Sequence, residues 1–243
     1  NGKERTKKLA TFELAQVEAD RLVAQRLEKG WLPAKTLPRG RSSPEVRGLE
    51  EAIARSPDDP EPFVVYADWL QEHGDELGEL ITLSLAHEDA VLAGDTAKEK
   101  DLAKTIAAWR DGHDDNLFGE VSKHLRRLTL TWRRGLVQSA RVRSGPKELG
   151  VSQGELVGAL LSLPVGRFTT QLAFPANAYT DCSLAFADLR PRALRSLTIE
   201  PGAGNARLKL ARLNVLDNLR ELSIGWSNLD ATGLSLPHVE SLS

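Results

Sequence analysis

Leu194-Arg-Ser-Leu197-Thr-Ile199 and Leu219-Arg-Glu-Leu222-Ser-Ile224 stand 25 residues apart and share one pattern, with arginine in second place and a small hydroxyl residue in fifth. Their apolar residues alternate with polar ones in the two-residue period of a half-buried strand. Val239-Glu-Ser-Leu242 starts another copy 20 residues on, and Leu172-Ala-Phe174 is a weaker version about one repeat before Leu194. Upstream, Leu125-Arg-Arg-Leu128-Thr-Leu130 and Val137-Gln-Ser-Ala140-Arg-Val142 repeat the alternation on either side of Arg133-Arg134-Gly135. A short strand cannot bury one apolar side alone. Recurrence at a period of about 20–29 residues therefore predicts strands stacked side by side over a continuous core.

Before residue 124 the period is helical. Ser43-Pro44-Glu45 is a helix start, and Val46, Leu49, Ala52 and Ile53 share a face behind it. Pro57-Asp58-Asp59-Pro60 is a turn, a second helix runs from Pro62 to Gln71, and His73-Gly74-Asp75 breaks it. A third helix spans Leu77 to Ala90, and a fourth runs from roughly Thr96 to Arg110 with Leu102, Ile106 and Trp109 at helical spacing. Asp111 to Asn116 reads as a solvated turn, because it lacks the ligand spacing of a calcium loop. Further upstream, Thr11 caps a stripe of Leu14, Val17, Leu22, Val23 and Leu27 that stops at Gly30, and residues 37–44 read as a linker.

The chain has 243 residues, 41% hydrophobic and 27% charged, an ordinary globular balance. No window nears the roughly 18 apolar residues of a membrane span, and no secretory leader is legible at Asn1–Gln16. A lone cysteine, Cys182, can form neither an intrachain disulfide nor a multi-cysteine zinc site, so a cytoplasmic home is expected. The absence of methionine and the break inside a repeat at Ser243 predict that the chain comes from a longer gene product. Net charge is −2, but it is unevenly laid out: +5 over residues 1–41, −11 over 42–91, −2 over 92–123 and +6 over 124–243. Such blocks either attract one another within the chain or address different partners, and pairing inside the chain is the favoured reading.

Three stretches together resemble known bacterial families. Tyr66-Ala-Asp-Trp-Leu-Gln-Glu-His-Gly-Asp75, followed by Glu79-Leu-Ile-Thr-Leu83, resembles the core of the bacterial repeat-companion domain, which typically precedes degenerate repeats. Trp132-Arg-Arg-Gly-Leu-Val137 looks like the aromatic-Arg-Arg-Gly-aromatic hairpin that follows that core, with Leu136 in place of the second aromatic. Thr11-Phe12 through Lys29-Gly30-Trp31 resembles the closing helix of a WGR domain, although Arg26 and Trp31 depart from its pattern and the W-G-R tripeptide is absent. Neither family carries an assigned catalytic activity, so the resemblance implies architecture. Residues 1–36 would be a WGR-like strand–helix remnant, 44–123 a repeat-companion helical module, and 124–243 a truncated leucine-rich-repeat-like solenoid.

Familiar chemistry is hard to find. Asp68, Glu72 and His73 are close in sequence, but no second histidine lies at ligand spacing and Gly74 is placed as a helix stop. Tyr66 and Trp69, three apart, read as helix packing. Cys182 has no activating histidine nearby, and no phosphate loop, nucleophile elbow or H-E-x-x-H occurs. The repeats are more informative. Their second position is Arg126, Arg195 and Arg220, their fifth is Thr129, Arg141, Thr198 and Ser223, and Trp132 and Trp226 stand two residues past the strand core. Arginine and tryptophan are enriched at binding hot spots, but the arginines fit solubilisation of an edge-rich sheet equally well, and Trp132 is favoured as a core cap.

The fold expected is α then α/β, a small helical module capping the first strand edge of a short right-handed leucine-rich-repeat solenoid. The function expected is a non-enzymatic protein-interaction scaffold or sensor without cofactor. Its partner-binding residues would be Arg126, Arg141, Arg195, Thr198, Arg220, Ser223 and Trp226, facing a protein with an acidic surface. The alternatives are nucleic-acid binding through the WGR-like segment and the Arg-rich strands, or a regulatory role within a larger effector enzyme.

Overall fold

The computed structural model describes residues 44–143, 151–201, 208–225 and 228–242, so the WGR-like segment 1–36 and Trp226 lie outside the described residues. Four helices come first: α1 (Pro44–Arg55), α2 (Glu61–Glu72), α3 (Leu77–Leu92) and α4 (Thr96–Phe118). Pro57 and Pro60 close off α1, since neither can continue its hydrogen bonding. In α2, Phe63, Tyr66, Ala67 and Leu70 fall on one side and are buried. Gly78, at the start of α3, lets that helix approach α2 closely, because a Cβ there would lie 2.7 Å from the Ala67 carbonyl oxygen. Asp95 caps α4 by accepting from the Lys98 amide at 3.0 Å.

The expected end of α4 at Arg110 is corrected. The helix continues through the acidic stretch to Phe118, where Leu117 and Phe118 bury themselves. His113 stacks on Trp109 with ring centroids 4.0 Å apart and donates to the Trp109 carbonyl at 2.6 Å. One buried pair at the far end outweighs a run of aspartates whose charges stay in water. A 3-10 segment, Gly119–Arg127, then leads into the sheet.

Strands β1 (Leu128–Arg133) and β2 (Leu136–Val142) form an antiparallel hairpin, with a bulge between Thr131 and Trp132. Helix α5 (Gln153–Ser162), β3 (Gln171–Pro175), α6 (Tyr179–Leu189), β4 (Ser196–Glu200), β5 (Leu208–Lys209), β6 (Glu221–Ile224), β7 (Leu229–Asp230) and β8 (Ser241–Leu242) follow. Six strands make one sheet in the order β1-β2-β3-β4-β6-β8, parallel from β2 onward, while β5 and β7 pair separately. The class is mixed α/β with a mostly parallel sheet.

Register explains the sequence period. Ala140, Leu172, Leu197, Leu222 and Leu242 are neighbours across five successive strands, and Phe174, Ile199 and Ile224 form the next row. Leu194, Leu197, Ile199, Leu219 and Leu222 are buried as expected, whereas Ile224 is only half-buried. Helices α5 and α6 pack side by side, and Phe174 of β3 meets Phe186 of α6 at 6.1 Å. A capping box of Ser152 and Glu155 starts α5. Backbone carbonyls carry the stacking from strand to strand. Thr170 O accepts the amides of Arg195 and Ser196, Arg195 O those of Arg220 and Glu221, and Arg220 O those of Glu240 and Ser241.

The edge of β2 is covered within the sheet itself. Strand β1, rather than a helix, pairs with it, and the turn joining the two is fastened to the helices. Both central residues of that turn have positive φ, Arg134 at 51° and Gly135 at 74°, which suits a tight hairpin following the twist of its strands. Gly135 lies against α3, where a Cβ would sit 2.8 Å from the Ile81 Cα. Arg134 is 5% exposed and bonds Glu88 of α3 through Nε at 2.7 Å and Nη2 at 3.2 Å. It also donates to the carbonyls of Pro57 and Asp58, and its guanidinium lies 5.0 Å from the Phe63 ring. Arg133 reaches Asp58 at 2.6 Å. Ion pairs Arg167–Glu50 and Arg192–Glu51 join the same two regions further along. The acidic helices and the basic sheet region thus meet through opposite charges, and a single hydrophobic cluster runs from Ile53 to Leu222 beneath them.

Two outcomes are expected. Gly135→Ala should cost about 2 kcal/mol or more in urea unfolding, because the new methyl meets backbone rather than a movable side chain. Arg134 holds the Glu88 carboxyl below its ordinary pKa. That contribution to stability is full above the unfolded value, about pH 4.3, and is lost as pH falls through the depressed folded value. Glu88→Gln should therefore be less stable at neutral pH and flatten the acid limb of the stability profile, measured by urea midpoints between pH 3 and 7.

Candidate functional site

The sheet has one face turned to the core and one turned outward. Along the outward face, register aligns Thr131, Ser139, Gln171, Ser196, Glu221 and Ser241 in one row. Thr129, Arg141, Ala173, Thr198 and Ser223 make a second row, two residues further along each parallel strand and two residues earlier in the antiparallel β1. Small hydroxyl side chains dominate both rows. Thr131 and Ser139 share a hydrogen bond of 2.6 Å across their strands. Thr198 and Ser223 are half-buried neighbours in the middle of this floor, as the fifth-position pattern anticipates. Arg141 stands among them, largely exposed, with its Nε 3.0 Å from Glu200.

The second-position arginines are placed differently from expectation. Arg126 is exposed in the 3-10 segment ahead of β1 and belongs to no strand. Arg195 and Arg220 each stand one residue before their strands, on the rim of the sheet. The reason is visible in the backbone ladder: the second position supplies the bridging carbonyl between repeats, and regular pairing begins one residue later. Trp226 falls outside the described residues.

Arg195 is also not a free clamp. Its Nη2 donates to the Ala54 carbonyl in the last turn of α1 at 2.6 Å, and its Nη1 donates to the Arg192 carbonyl at 2.8 Å. A cation at the carbonyl end of α1 is favourable, since that end carries partial negative charge. Asn218 of the next repeat donates to the same Arg192 carbonyl at 2.8 Å. Burial and the neighbouring Arg220 lower the pKa of Arg195, and Asp58 partly counteracts this. Arg220 remains exposed, with Glu240 at 3.9 Å.

Two grooves flank this pair of arginines. The smaller, about 200 Å³, is bounded by the α1–α2 turn and the sheet floor: Pro57, Asp58 and Phe63 on one side, Gln138, Thr170 and Ser196 on the other. The larger, about 650 Å³, lies between the end of α1 and the turn before β8, where His238 and Val239 close it. Arg192 and His238, which help form it, carry no signal in the repeat pattern, because they lie outside the strands in segments whose spelling varies between copies, and Arg55 ends α1, outside the repeats altogether.

Elsewhere the residues suggestive of chemistry have structural surroundings. Asp68 and Glu72 are exposed, and His73 stacks on Trp69 at 3.9 Å while donating to the Trp69 carbonyl. Asp75 accepts from the Leu77 amide at the start of α3. Tyr66 and Leu70 are buried, but Trp69 is only half-buried against the core. Trp132 is likewise half-buried, edge-on to Phe118 and beneath the Arg110 guanidinium. Cys182 is buried in α6. Among the described residues no helix is long and apolar enough to cross a membrane, and no group of three or more His, Cys, Asp or Glu could hold a metal ion. Compared with known proteins, the chain matches no protein-family model, no curated protein and no solved structure.

Arg195→Ala should cost about 1 kcal/mol, because it leaves the part-buried Ala54 carbonyl at the end of α1 without that donor. Arg220→Ala, exposed and loosely paired, should stay within about 0.5 kcal/mol. Parallel urea titrations of the two variants check the contrast, and equal losses would contradict it.

Proposed function

We propose that this chain is a non-enzymatic, cytoplasmic protein-interaction scaffold or sensor that uses no cofactor. In this reading residues 124–243 are a short leucine-rich-repeat solenoid, and residues 44–123 are a repeat-companion module that caps it. The partner lies on the outward sheet face and presents an acidic surface. The observation that carries the proposal is the alignment of Thr198 and Ser223 in adjacent strands, within two rows of mostly small polar side chains and beside Arg141, Arg195 and Arg220. A floor of short side chains leaves room for a partner's larger ones, and rim arginines supply directional hydrogen bonds to carboxylates. The 25-residue spacing of Leu197 and Leu222, which share one register, supports the repeat assignment.

Nucleic-acid binding is the second reading, favoured by the like-charged Arg195 and Arg220 standing side by side on the rim. The two readings separate by salt. Phosphate-driven binding falls steeply between low and moderate salt, whereas an acidic protein surface held by a few rim arginines over a shape-matched floor falls less steeply. A third reading is that the chain regulates an enzyme carried elsewhere in a longer protein.

The test is a pair of substitutions, Thr198→Lys with Ser223→Glu. They fill the floor with bulk and place opposite charges across neighbouring strands, which avoids a like-charge penalty. The expected result is an unmoved thermal transition and at least a thirtyfold loss of affinity for a partner captured by the wild type, corresponding to about 2 kcal/mol. Identical capture by both proteins would reject the sheet face as the working surface.

A further inference from the structure

The groove of about 650 Å³ between the end of α1 and the rim of β4, β6 and β8 has an unusual balance of charge. Arg55, Arg192, Arg195, Arg220 and His238 line it, against Glu51 and Glu240. Arg192 is matched, with its Nη1 2.6 Å from Glu51. Arg220 and Glu240 stand 3.9 Å apart with both side chains well exposed, a pairing worth little in water. Arg195 makes its two hydrogen bonds to backbone carbonyls and has no carboxylate within ion-pairing distance among the described residues. Arg55 is exposed and likewise forms no ion pair among the described residues. Two guanidinium groups thus border the groove without a carboxylate partner, and a third is loosely held.

Their spacing follows from the sheet. Arg195 and Arg220 occupy the same position one residue before adjacent strands, so their backbones are one strand apart, about 4.8 Å. The positive charge of Arg220 disfavours that of Arg195, and a single anion set between two guanidinium groups converts repulsion into two attractions. Guanidinium groups bind carboxylates and phosphates through paired N–H donors. The two resident glutamates favour a carboxylate over a phosphate group, since a singly charged ligand is repelled less by them than a doubly charged one. Ala54, Pro237 and Val239 add apolar wall on which the methylenes of a glutamate can rest. The groove also has room for several side chains, unlike a site for an isolated ion.

We propose that this groove binds the carboxylate side chains of an acidic, Glu-rich peptide segment, with Arg55, Arg195 and Arg220 as its ligating groups. The proposal rests on the protein-interaction reading and sharpens it: the helical module contributes Arg55 to the recognition site, and the partner is held at the rim as well as on the floor.

The experiment uses the full 243-residue chain and fluorescein-labelled hexaglutamate, followed by fluorescence polarisation at low and moderate salt. Hexaglutamine and a peptide of the same length carrying one phosphoserine among glutamines serve as controls. Hexaglutamate is expected to bind at least tenfold more tightly than hexaglutamine. The pair Arg55→Gln with Arg220→Gln is expected to erase that preference with an unchanged thermal transition, because neither side chain is tied to the backbone of the fold. Arg195 is left intact so that α1 keeps its anchor. Equal binding of the two homopeptides, or full binding by the double variant, would overturn the proposal. Tighter binding of the phosphoserine peptide would reassign the groove to phosphate. The Thr198→Lys, Ser223→Glu protein separates this proposal from the broader one. Loss of partner capture by that variant, alongside failure of hexaglutamate to bind the wild type, would leave the sheet face standing and reject the groove.

Discussion

Arg134 is buried at the tip of the first hairpin and is satisfied on every side the helices can offer. Glu88 supplies two oxygens, the α1–α2 turn supplies two carbonyls, and Phe63 supplies a ring face. A buried guanidinium is costly unless its hydrogen bonds are complete, and breaking such a pair from one side costs about 3–5 kcal/mol. Three helical elements must therefore be in place around it at once. Gly135 adds the opposite constraint, holding the turn so close to α3 that no side chain fits. Since the hairpin contains β2, and β2 sets the register of β3, the placement of the whole parallel sheet relative to the helices depends on this one turn.

The uneven charge of the chain follows from the same contact. Residues 42–91, at −11, contribute Glu50, Glu51, Asp58 and Glu88, while the basic region beyond residue 124 contributes Arg133, Arg134, Arg167 and Arg192. Together these residues form a single seam between the two regions. The exposed pairs in it add little individually, and the buried Arg134–Glu88 pair gives the seam its specificity. Glu50 shows the cost of such burial, since its pKa is raised by desolvation even with Arg167 beside it.

The strands and most helices are legible in the sequence because their signals are local. Leu197 and Leu222 repeat at fixed spacing, and Pro57 and Gly74 punctuate at fixed places. The fourth helix is legible only to Arg110, because composition near Asp111 speaks of solvent whereas burial of Phe118 decides the outcome. The tether of Arg195 is hidden for a different reason. Its partner carbonyl, at Ala54, lies 141 residues away, and a strand pattern alone cannot show that a side chain on the sheet rim ends a helix. The groove residues Arg55 and His238 are hidden by the same cause, being brought together by packing between segments that share no period. The floor residues Thr198 and Ser223 are readable, since alternation within a strand fixes which side they face.

The bridging carbonyls of Thr170, Arg195 and Arg220 have a consequence for the order of assembly. Each accepts two amides from the strand that comes later in the chain, so an edge already in place offers the next strand a ready pair of bonds. Separations of 20 to 25 residues between the later partners keep every such closure short and its entropy cost small. Growth that starts at the helix-anchored hairpin would run toward the C-terminus, the order in which a ribosome delivers the chain. Repeats released during synthesis would meet a finished template, and their sticky edges would be covered as they form.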